Sequence, residues 1–464
     1  MAIRQTAPLT ETLADFVAGF SPSKVPERVR GYATEMVLDG SGALLAAANP
    51  KLSTGRLISQ FVAAQGGKEQ AWVVGHGFRT SVVGAALANG TMGYACDYEP
   101  HHPGGVLHPI AIMVPTSLAV GEMAAASGER LMAAVVIGCE IEYRLSMALG
   151  PVEQYNLGFH PSAVCGCFGA TAAAAFLLGL SAPQIVRAFG LAGCQASGLM
   201  AWESDATENS RPFQMGVAAR NGATAALLAG QGFGGPVAIF DHGHTVFGAF
   251  SRKPAPRHLA DELGARFDGI MELAIKPYSS VSFLHPGLDA LLDMVRENKL
   301  KIGDIDRIEL RFPTSGTHCI DNNPLKSHCA QYILPVALSA EGLNVIDLFV
   351  DRRESDTEVR RLAGRIAVVA DAELEREFPA RYATVVRVTT KAGKTYQRRN
   401  DVARGYPQTP LSRDDRHAKF RAVAGTVASA GRVAQLQREI EGLWQAPSID
   451  TYARLMGAAP DAGR

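Results

Sequence analysis

The residues best suited to chemistry lie in one stretch of thirteen, residues 97–109, with the sequence DYEPHHPGGVLHP. Its titratable side chains are those of Asp97, Glu99, His101, His102 and His108. Proline and glycine residues disfavour a regular helix or strand here, so the stretch is predicted to be a loop. Imidazole takes up or releases a proton near neutral pH, and loops on rigid elements often carry catalytic groups. A catalytic loop is therefore predicted, with a solvated polar turn as the alternative.

Four further segments place a polar or charged group beside the start of a predicted helix. These groups are His160 in GFHP, Arg211 in ENSRPFQ, Lys276 in KPY, and His285 in the HP that follows. A helix N-terminus offers unpaired N–H groups and the positive end of a dipole, both of which suit a carboxylate. Each group alone is more often a helix cap or a surface charge. Together they indicate a cationic pocket that can transfer protons.

The overall composition limits the classes of partner. The chain has 464 residues, of which 45 are Lys or Arg and 45 are Asp or Glu, so its formal net charge is zero. No global field would attract nucleic acid or an acidic membrane, and neither is expected as a partner. Seven irregularly spaced cysteines predict no disulfide framework, and the N-terminus is a poor signal peptide. We therefore expect a cytoplasmic protein.

Two sequence textures divide the chain. From about residue 10 to residue 250, small and apolar residues recur at three- and four-residue spacing, which predicts a large helical core. Beyond residue 275 the segments 307–312, 366–370, 384–390 and 395–399 alternate apolar and polar residues and favour β-branched types. These four segments are predicted strands.

Helical texture returns between residues 413 and 456, so the end of the chain is expected to rejoin the first part. We therefore predict a mainly α protein in two parts. The first is a large, discontinuous all-helical domain of residues 1–274 and 404–464. The second is a smaller α+β domain of residues 275–403, which we call the lid.

Some motif-like patterns are given structural explanations. The uncharged window 161–186 is long enough to span a bilayer, but it is rich in Ala and Gly and predicts a buried helix instead. The GQGFGG pattern at 230–235 follows a predicted helix rather than a strand, so it indicates a helix end. The GKT at 393–395 lacks the earlier glycine of a phosphate loop and indicates a hairpin turn. No nucleotide, metal or other cofactor is predicted.

Nearly end to end, the sequence resembles the MmgE/PrpD family. The resemblance rests on ANGTMGYACDYEPHH with LHPIAIMVPTSLAVGE, on GFHPSAVCGCFGATAAAAFLLGL, RPFQMGVAARNGATAALLAGQGF and IKPYSSVSFLHPGLDALL, and on YPQTPLSRDDRHAKF. The family includes 2-methylcitrate dehydratase, cis-aconitate decarboxylase and iminodisuccinate epimerase. The resemblance implies a homodimer with an active site between a helical domain and an α+β lid.

Several positions of the family's motifs are changed in this chain. The Asp-Phe-Asp-Asp-Thr loop of the family falls on residues 97–101, where Asp97 is kept and His101 replaces the threonine. The family's Lys-Pro-Leu-His falls on 211–214, where Arg211 and Gln214 replace the lysine and the histidine. Its Phe-Ser-x-Pro-Tyr falls on 332–336, where two polar groups are lost. The family's lysine at the domain junction is kept as Lys276. Two histidines of the family's motifs are kept as His108 and His160.

These changes favour epimerisation. A dehydratase must hold and protonate a leaving hydroxyl group, whereas an epimerase need not, and family hydroxyl groups are missing at His101, Ile333 and Val336. A guanidinium at position 211 grips carboxylates but is a poor proton shuttle. We therefore predict a cofactor-independent enzyme that removes and returns an α-proton on a small anionic di- or tricarboxylate such as iminodisuccinate. A dehydratase acting on a 2-methylcitrate-like substrate, or a cis-aconitate decarboxylase-like lyase, is the alternative. A non-catalytic carboxylate-binding protein is the remaining class.

The predicted roles follow from this chemistry. Lys276 and a histidine, either His108 or His160, are expected to act on opposite faces of the reacting carbon. Asp97 is expected to orient a histidine or the lysine, and Arg211 to anchor a carboxylate. The predicted catalytic residues are Lys276, His160, His108, Asp97 and His101. The predicted substrate-binding residues are Arg211, His102, Tyr278 and Gln214, and no metal ligand is predicted.

Overall fold

The structure, a computed structural model, describes residues 8–340, 342, 353–378 and 381–461. It confirms a mainly α protein with a smaller α+β part. The helices of the first part are α1 (Leu9–Ala18), α2 (Glu27–Ala46), α3 (Ser53–Gln65), α4 (Val82–Tyr94), α5 (Ile110–Met123), α6 (Gly128–Leu149), α7 (Pro151–Asn156), α8 (Pro161–Leu178), α9 (Ala182–Gly193), α10 (Ser210–Gly230), α11 (Val246–Phe250) and α12 (Asp268–Met271).

Small residues let the central helices of this part pack closely. Helix α10 packs against α4 and α8, and α6 also packs against α8. A Cβ added to Gly222 of α10 would lie 2.5 Å from the Cβ of Ala170 in α8. A Cβ added to Gly90 of α4 would lie 2.9 Å from the Cα of Gly216 in α10. The many Ala and Gly residues of these helices therefore allow close helix packing in a buried core.

The predicted buried helix in the window 161–186 is confirmed. Helix α8 is long and apolar enough to cross a membrane by composition, yet 94% of it is buried inside the protein. The glycine-rich GQGFGG marks the end of α10, with Gly232 at a φ of 87°. This positive φ is the left-handed conformation that glycine adopts readily after a helix. One hairpin in this part, β1 (Ala71–Val73) with β2 (Phe78–Thr80), was not predicted, because its three-residue strands are too short to show a period.

The lid is built on a mixed four-stranded sheet. The predicted strands are confirmed as β3 (Ile305–Pro313), β4 (Ile366–Asp371), β5 (Thr384–Thr390) and β6 (Thr395–Asn400), in the order β4-β3-β5-β6. Only the β3–β4 pair is parallel among these neighbours. The predicted turn at 393–395 closes the β5–β6 hairpin, with Gly393 at a φ of 83°. The lid helices are α13 (His285–Glu297), α14 (Ala330–Ser339), α15 (Thr357–Ala363) and α16 (Ala372–Glu375).

The last helices return to the first part of the chain. They are α17 (Arg413–Ala424), α18 (Ala430–Glu441) and α19 (Asp450–Gly457). Helix α17 packs along α2, and its Phe420 belongs to the same hydrophobic cluster as Leu13 of α1. A separate cluster, which includes Tyr278 and Val388, forms the interior of the lid. The exact boundaries at 274/275 and 403/404 stay predictions.

One buried carboxyl group of the core leads to a stability prediction. Glu142 of α6 is fully buried, and neither of its carboxylate oxygens has a partner among the described residues. Burial raises the pKa of Glu142 well above its usual value. The folded protein therefore keeps a proton that the unfolded chain releases above about pH 4.3, so stability is lost as the pH rises.

Glu142→Gln removes this titration with little change of shape. We expect it to raise the free energy of unfolding at pH 7 and to raise it much less near pH 4.5, where Glu142 of the unfolded chain is also partly protonated. Chemical unfolding at both pH values measures the difference. A variant that is equally destabilised at the two pH values would show that the carboxyl group has a hydrogen-bonded role instead.

Candidate active site

Backbone pairing places the catalytic loop against the segment that leads into Lys276. The loop connects α4 to α5, and its His101 exchanges two backbone hydrogen bonds with Ala274, at 3.0 and 2.7 Å. Asp97 starts the loop in the left-handed conformation, with a φ of 45°, which is uncommon for a residue other than glycine. Lys276 follows Ala274 by two residues and reaches Asp97 across the resulting junction.

Lys276 and Arg211 converge on one buried carboxylate. The Lys276 ammonium donates to Asp97 Oδ1 and, at 3.2 Å, to the Asp97 carbonyl oxygen. Arg211 Nη1 donates to Asp97 Oδ2 at 3.3 Å. Burial alone would raise the pKa of Asp97, but the charges of Lys276 and Arg211 together hold this pKa well below its usual value. Asp97 therefore stays ionised and accepts hydrogen bonds from both cations, and its predicted role of orienting a histidine or Lys276 stays a prediction.

Glu99 and His108 form a second pair beside this cluster. Glu99 Oε1 lies 2.6 Å from His108 Nδ1 and 3.4 Å from Lys276 Nζ. Burial, helped by the Asp97 charge and opposed by Lys276, raises the pKa of Glu99 to about 8. Burial and the two nearby cations hold the pKa of His108 well below its usual value. At neutral pH Glu99 is therefore mainly protonated and His108 is neutral.

Two aromatic rings hold Arg211. The guanidinium carbon lies 4.5 Å from the centroid of the Tyr94 ring and 4.6 Å from that of Trp202. Stacking and cation–π attraction both favour a planar guanidinium over an ammonium in such a slot. Its Nε has no partner among the described residues and is buried. The clamp therefore fixes the plane of a permanent cation at the pocket.

Arg211→Lys tests this clamp. We expect KM to rise by about tenfold or more, with a smaller fall in kcat, because the charge is kept while the stacking and the forked donors are lost. Steady-state kinetics with the substrate separate the two constants. Equal falls in kcat and kcat/KM would instead place Arg211 in the transition state only.

His160 and Gln214 contact each other and are not among the described residues that line the pocket. His160 Nδ1 lies 3.0 Å from Gln214 Oε1, and Gln214 Nε2 donates to the Leu199 carbonyl at 2.8 Å. Gln214 therefore orients the imidazole. The His160 ring lies 5.6 Å from the Trp202 ring. Burial first, and then Arg211, lowers the pKa of His160 to about 3. The catalytic role of His160 stays a prediction.

The pocket itself lies between the two parts of the chain. It is lined by Asp97, His101, His102, Pro103, Val106, Leu107, His108, Tyr155, Met200, Trp202, Glu203, Arg211, Lys276, Val281, Ser282, Phe283, Cys319, Asn323, His328, Tyr382 and Tyr406. Lid residues and helical-part residues therefore share one cavity.

A model of the MmgE/PrpD N-terminal domain matches residues 11–259, and a model of the MmgE/PrpD C-terminal domain matches residues 278–445. The chain belongs to the MmgE/PrpD family. Human (Homo sapiens) cis-aconitate decarboxylase is 27% identical over 94% of this chain and 92% of its own length. The mouse (Mus musculus) and Aspergillus terreus proteins of the same name are each 24% identical over 97% of this chain, and over 93% and 96% of their own lengths.

These relatives bear on the predicted activity. They are named as enzymes that remove a carboxyl group, so the similarity favours an enzyme and, of the predicted activities, the lyase alternative. None of these three supports the iminodisuccinate epimerase that was the first prediction.

The argument for an epimerase from the missing hydroxyl groups at positions 333 and 336 is wrong. Ile333 and Val336, where hydroxyl groups of the family pattern are missing, are fully buried in the lid interior on α14. They do not face the pocket, because α14 packs its apolar side against the rest of the lid. Tyrosines at 155, 382 and 406 line the pocket instead. The absence of hydroxyl groups at 333 and 336 therefore says nothing about whether a hydroxyl leaves.

Two predicted binding residues have their polar atoms engaged elsewhere. His102 Nδ1 accepts from the Gly105 N–H at 3.0 Å, and its Nε2 lies 3.2 Å from the Asp268 carbonyl. Its imidazole therefore braces the loop, although its ring borders the pocket. The Tyr278 hydroxyl donates to Asp289 Oδ1 at 2.7 Å and is not among the described lining residues. These contacts occupy the polar atoms of both residues, and their binding roles stay predictions.

His101 does line the pocket. Both of its ring nitrogens are buried without a partner among the described residues, and its ring lies 6.1 Å from that of His108. Burial, and after it the charge of Lys276, lowers the pKa of His101 well below its usual value. A neutral imidazole with free nitrogens suits hydrogen bonding to a substrate better than it suits charge pairing.

Sequence analysis missed several residues of the site. Glu99 was recognised in the loop but given no role, since only its contact with His108 reveals one. Trp202 and His328 carried no pattern at all. Burial, followed by the charge of Arg211, lowers the pKa of His328 to about 3, and its Nδ1 lies 2.9 Å from Ser327 Oγ. Neither residue can be assigned to the pocket before the lid is placed on the helical part.

Three groups of the site could also surround a cation. Donor atoms of Asp97, Glu99 and His108 lie within 4.8 Å of one another. The Lys276 ammonium contacts the two carboxylates of this set and already supplies positive charge there. The expectation that no metal is needed stays a prediction. We expect activity to survive dialysis against a chelator, and a loss restored by a divalent metal would contradict it.

Proposed function

We propose that this protein is a cofactor-independent lyase that decarboxylates a small unsaturated tricarboxylate of the cis-aconitate type. The observation that carries the proposal is the Glu99–His108 pair, held beside Lys276 and Arg211 at a shared cavity. Similarity to cis-aconitate decarboxylases over nearly the whole chain supports the substrate class.

The charges of the site suit a polyanion. With Glu99 protonated, Lys276, Arg211 and Asp97 leave one net positive charge in a buried cluster. Cations in a site of low dielectric attract carboxylates far more strongly than they do in water. We assign Lys276 and Arg211 to the substrate carboxylates that are retained, and His101 to a neutral hydrogen bond.

The Glu99–His108 pair has two protonation states with different chemistry. When Glu99 is protonated it donates to His108 Nδ1, and the proton of the neutral ring is then on Nε2. When Glu99 is ionised, His108 Nδ1 donates to it and Nε2 is a free base. His108 lines the pocket, so Nε2 is the atom that gives or takes a proton there.

Decarboxylation uses the protonated state. As the bond to the departing carboxylate breaks, its electron pair forms a new carbon–carbon double bond. The electrons of the former double bond take the proton from His108 Nε2, and His108 Nδ1 recovers a proton from Glu99. One proton is consumed and one carbon dioxide is released per turnover, and solvent reprotonates Glu99.

The geometry favours one proton-transfer site over two. Lys276 Nζ and His108 Nδ1 both approach the same oxygen of Glu99, at 3.4 and 2.6 Å. A two-base epimerase needs independent groups on opposite faces of one carbon. The convergence of both groups on Glu99 supports a shared acid, which is what a lyase of this kind requires.

A substrate panel in deuterated water tests the proposal. cis-Aconitate, 2-methylcitrate and iminodisuccinate are incubated separately and followed by NMR, with carbon dioxide measured in parallel. We expect cis-aconitate to give an unsaturated dicarboxylate carrying one solvent deuterium, with one carbon dioxide per product. Deuterium exchange into iminodisuccinate without carbon dioxide would favour the epimerase, and loss of water from 2-methylcitrate would favour a dehydratase.

The same panel addresses the remaining predictions. Saturable binding of all three anions without turnover would favour the non-catalytic alternative. His108→Asn is the control for a contaminating enzyme, because it should abolish any true activity. The homodimer implied by the family resemblance and the cytoplasmic location stay predictions, and sedimentation of the purified protein tests the first.

A further inference from the structure

A second buried ion pair lies directly behind the catalytic loop. Lys419 of α17 donates to Asp39 Oδ2 of α2 at 2.8 Å, and both side chains are buried. The same ammonium donates to the Tyr98 carbonyl oxygen at 2.8 Å and lies 3.9 Å from the centroid of the Tyr98 ring. Neither Lys419 nor Asp39 is among the described residues that line the catalytic pocket.

Tyr98 links the two carboxylate residues of the site, Asp97 and Glu99, along the chain. It stands between Asp97 and Glu99 in the chain, and its hydroxyl donates to the carbonyl of Pro277, which follows Lys276, at 3.1 Å. Any rotation of the peptide after Tyr98 would move the Glu99 carboxyl group away from His108 and Lys276. The carbonyl that Lys419 holds belongs to that peptide.

The loop that Lys419 contacts begins in an uncommon backbone conformation. Asp97 adopts the left-handed conformation, which is uncommon for a residue with a side chain, although Asp tolerates it better than most. An ammonium has three donors, and here two are used by Asp39 and the Tyr98 carbonyl while the charge also lies over the Tyr98 ring.

We propose that Lys419 is a positioning residue, which holds the Tyr98 peptide so that Asp97 and Glu99 meet Lys276 and His108. Asp39 fixes Lys419 in turn. The inference rests on the proposed roles of Glu99 and Lys276, but it does not depend on which polycarboxylate is the substrate.

A neighbouring ion pair provides the matched control. Arg416, one turn earlier on α17, donates to Glu35 Oε2 of α2 at 2.8 Å and to the Leu411 carbonyl at 2.6 Å. Among the described residues its contacts join the same two helices without reaching the loop. A purely structural role for Lys419 would therefore be reproduced by loss of Arg416.

The test compares three variants of the full chain. Asp39→Asn/Lys419→Met removes the second pair without leaving one charge buried alone, Glu35→Gln/Arg416→Met is the control, and Lys419→Arg keeps a cationic donor. Hydrogen exchange of peptides covering residues 95–108 is measured together with kcat and KM for cis-aconitate.

We expect the Asp39→Asn/Lys419→Met variant to exchange at least tenfold faster in the loop and to lose 10–100-fold in kcat, with KM within about threefold of wild type. The control should leave both the loop exchange and kcat within twofold of wild type, and Lys419→Arg should restore most of the protection. Unchanged loop exchange in the double variant, or the same loss in the control, would overturn the proposal.

The exchange measurement separates this proposal from the proposed function. If the wild-type protein leaves cis-aconitate untouched, the decarboxylase assignment fails, and loop exchange alone still decides the role of Lys419. If the double variant does not fold, Lys419→Gln decides it, because the shorter neutral side chain cannot hold both Asp39 and the Tyr98 carbonyl. Faster loop exchange in this variant supports the restraint on Tyr98, and loop exchange as slow as that of the wild type overturns it.

Discussion

Replacing Lys276 with methionine is expected to lower kcat by about 10²–10⁴-fold, the usual contribution of a positioned acid–base or charge-stabilising group. Lys276 contacts both carboxylates of the site, so its loss removes the cation nearest to the reacting proton. Stopped-flow or steady-state assays with the active substrate measure the change.

The Lys276→Met variant should still fold. Arg211 remains as the partner of Asp97, and Glu99, which is already protonated at neutral pH, stays neutral because Lys276 no longer opposes the rise of its pKa. No uncompensated charge is then left buried, which is the condition under which loss of an ion pair is most destabilising. Circular dichroism and thermal unfolding check the fold. Turnover within tenfold of wild type, in a folded variant, would show that Lys276 is structural.

The second large effect is expected from Glu99→Gln and from pH. Glu99 keeps its proton up to about pH 8 because burial and Asp97 raise its pKa. An acid mechanism therefore gives a constant kcat below about pH 8, and above it kcat falls towards tenfold per pH unit as the proton is lost. Glu99→Gln has no proton to supply, so kcat should fall about 10²–10⁴-fold and the residual activity should lose this alkaline limb.

The direction of the slope separates the mechanisms. If the ionised pair were the active form, as for a base that removes an α-proton, kcat would rise through pH 8 instead of falling. Glu142→Gln is the matched control, because Glu142 is also a fully buried glutamate but does not line the pocket. Its kcat–pH profile should coincide with that of the wild-type protein.

The local pattern of apolar and polar residues was sufficient to predict most of the strands and long helices. The four lid strands and the long helices appear where the period of the apolar residues places them, because side-chain burial within an element repeats every two or every 3.6 residues. The resemblance of the loop and of the flanking motifs to a known family also identified Asp97, His108, Arg211 and Lys276 before any distance was known. Family membership confirms that resemblance.

Tertiary structure alone decided which side chains meet. Lys276 reaches Asp97 across 179 residues of chain, and Lys419 reaches Tyr98 across 321. Spacing along the sequence carries no information about such contacts, since it determines the face of an element and not the neighbour that this face packs against. The partnership of Glu99 with His108, nine residues apart within a loop without a period, is also a product of that packing.

The same reason explains the contacts that the sequence could not reveal. Tyr278 and His102 have residue types suited to a substrate, but the fold brings Asp289 to the first and the Asp268 carbonyl to the second. Ile333 and Val336 occupy motif positions and yet face the interior of the lid. The sequence determined which groups were available for chemistry. Only long-range packing, which sets burial and therefore protonation, decided which of them face the pocket and in which charge state.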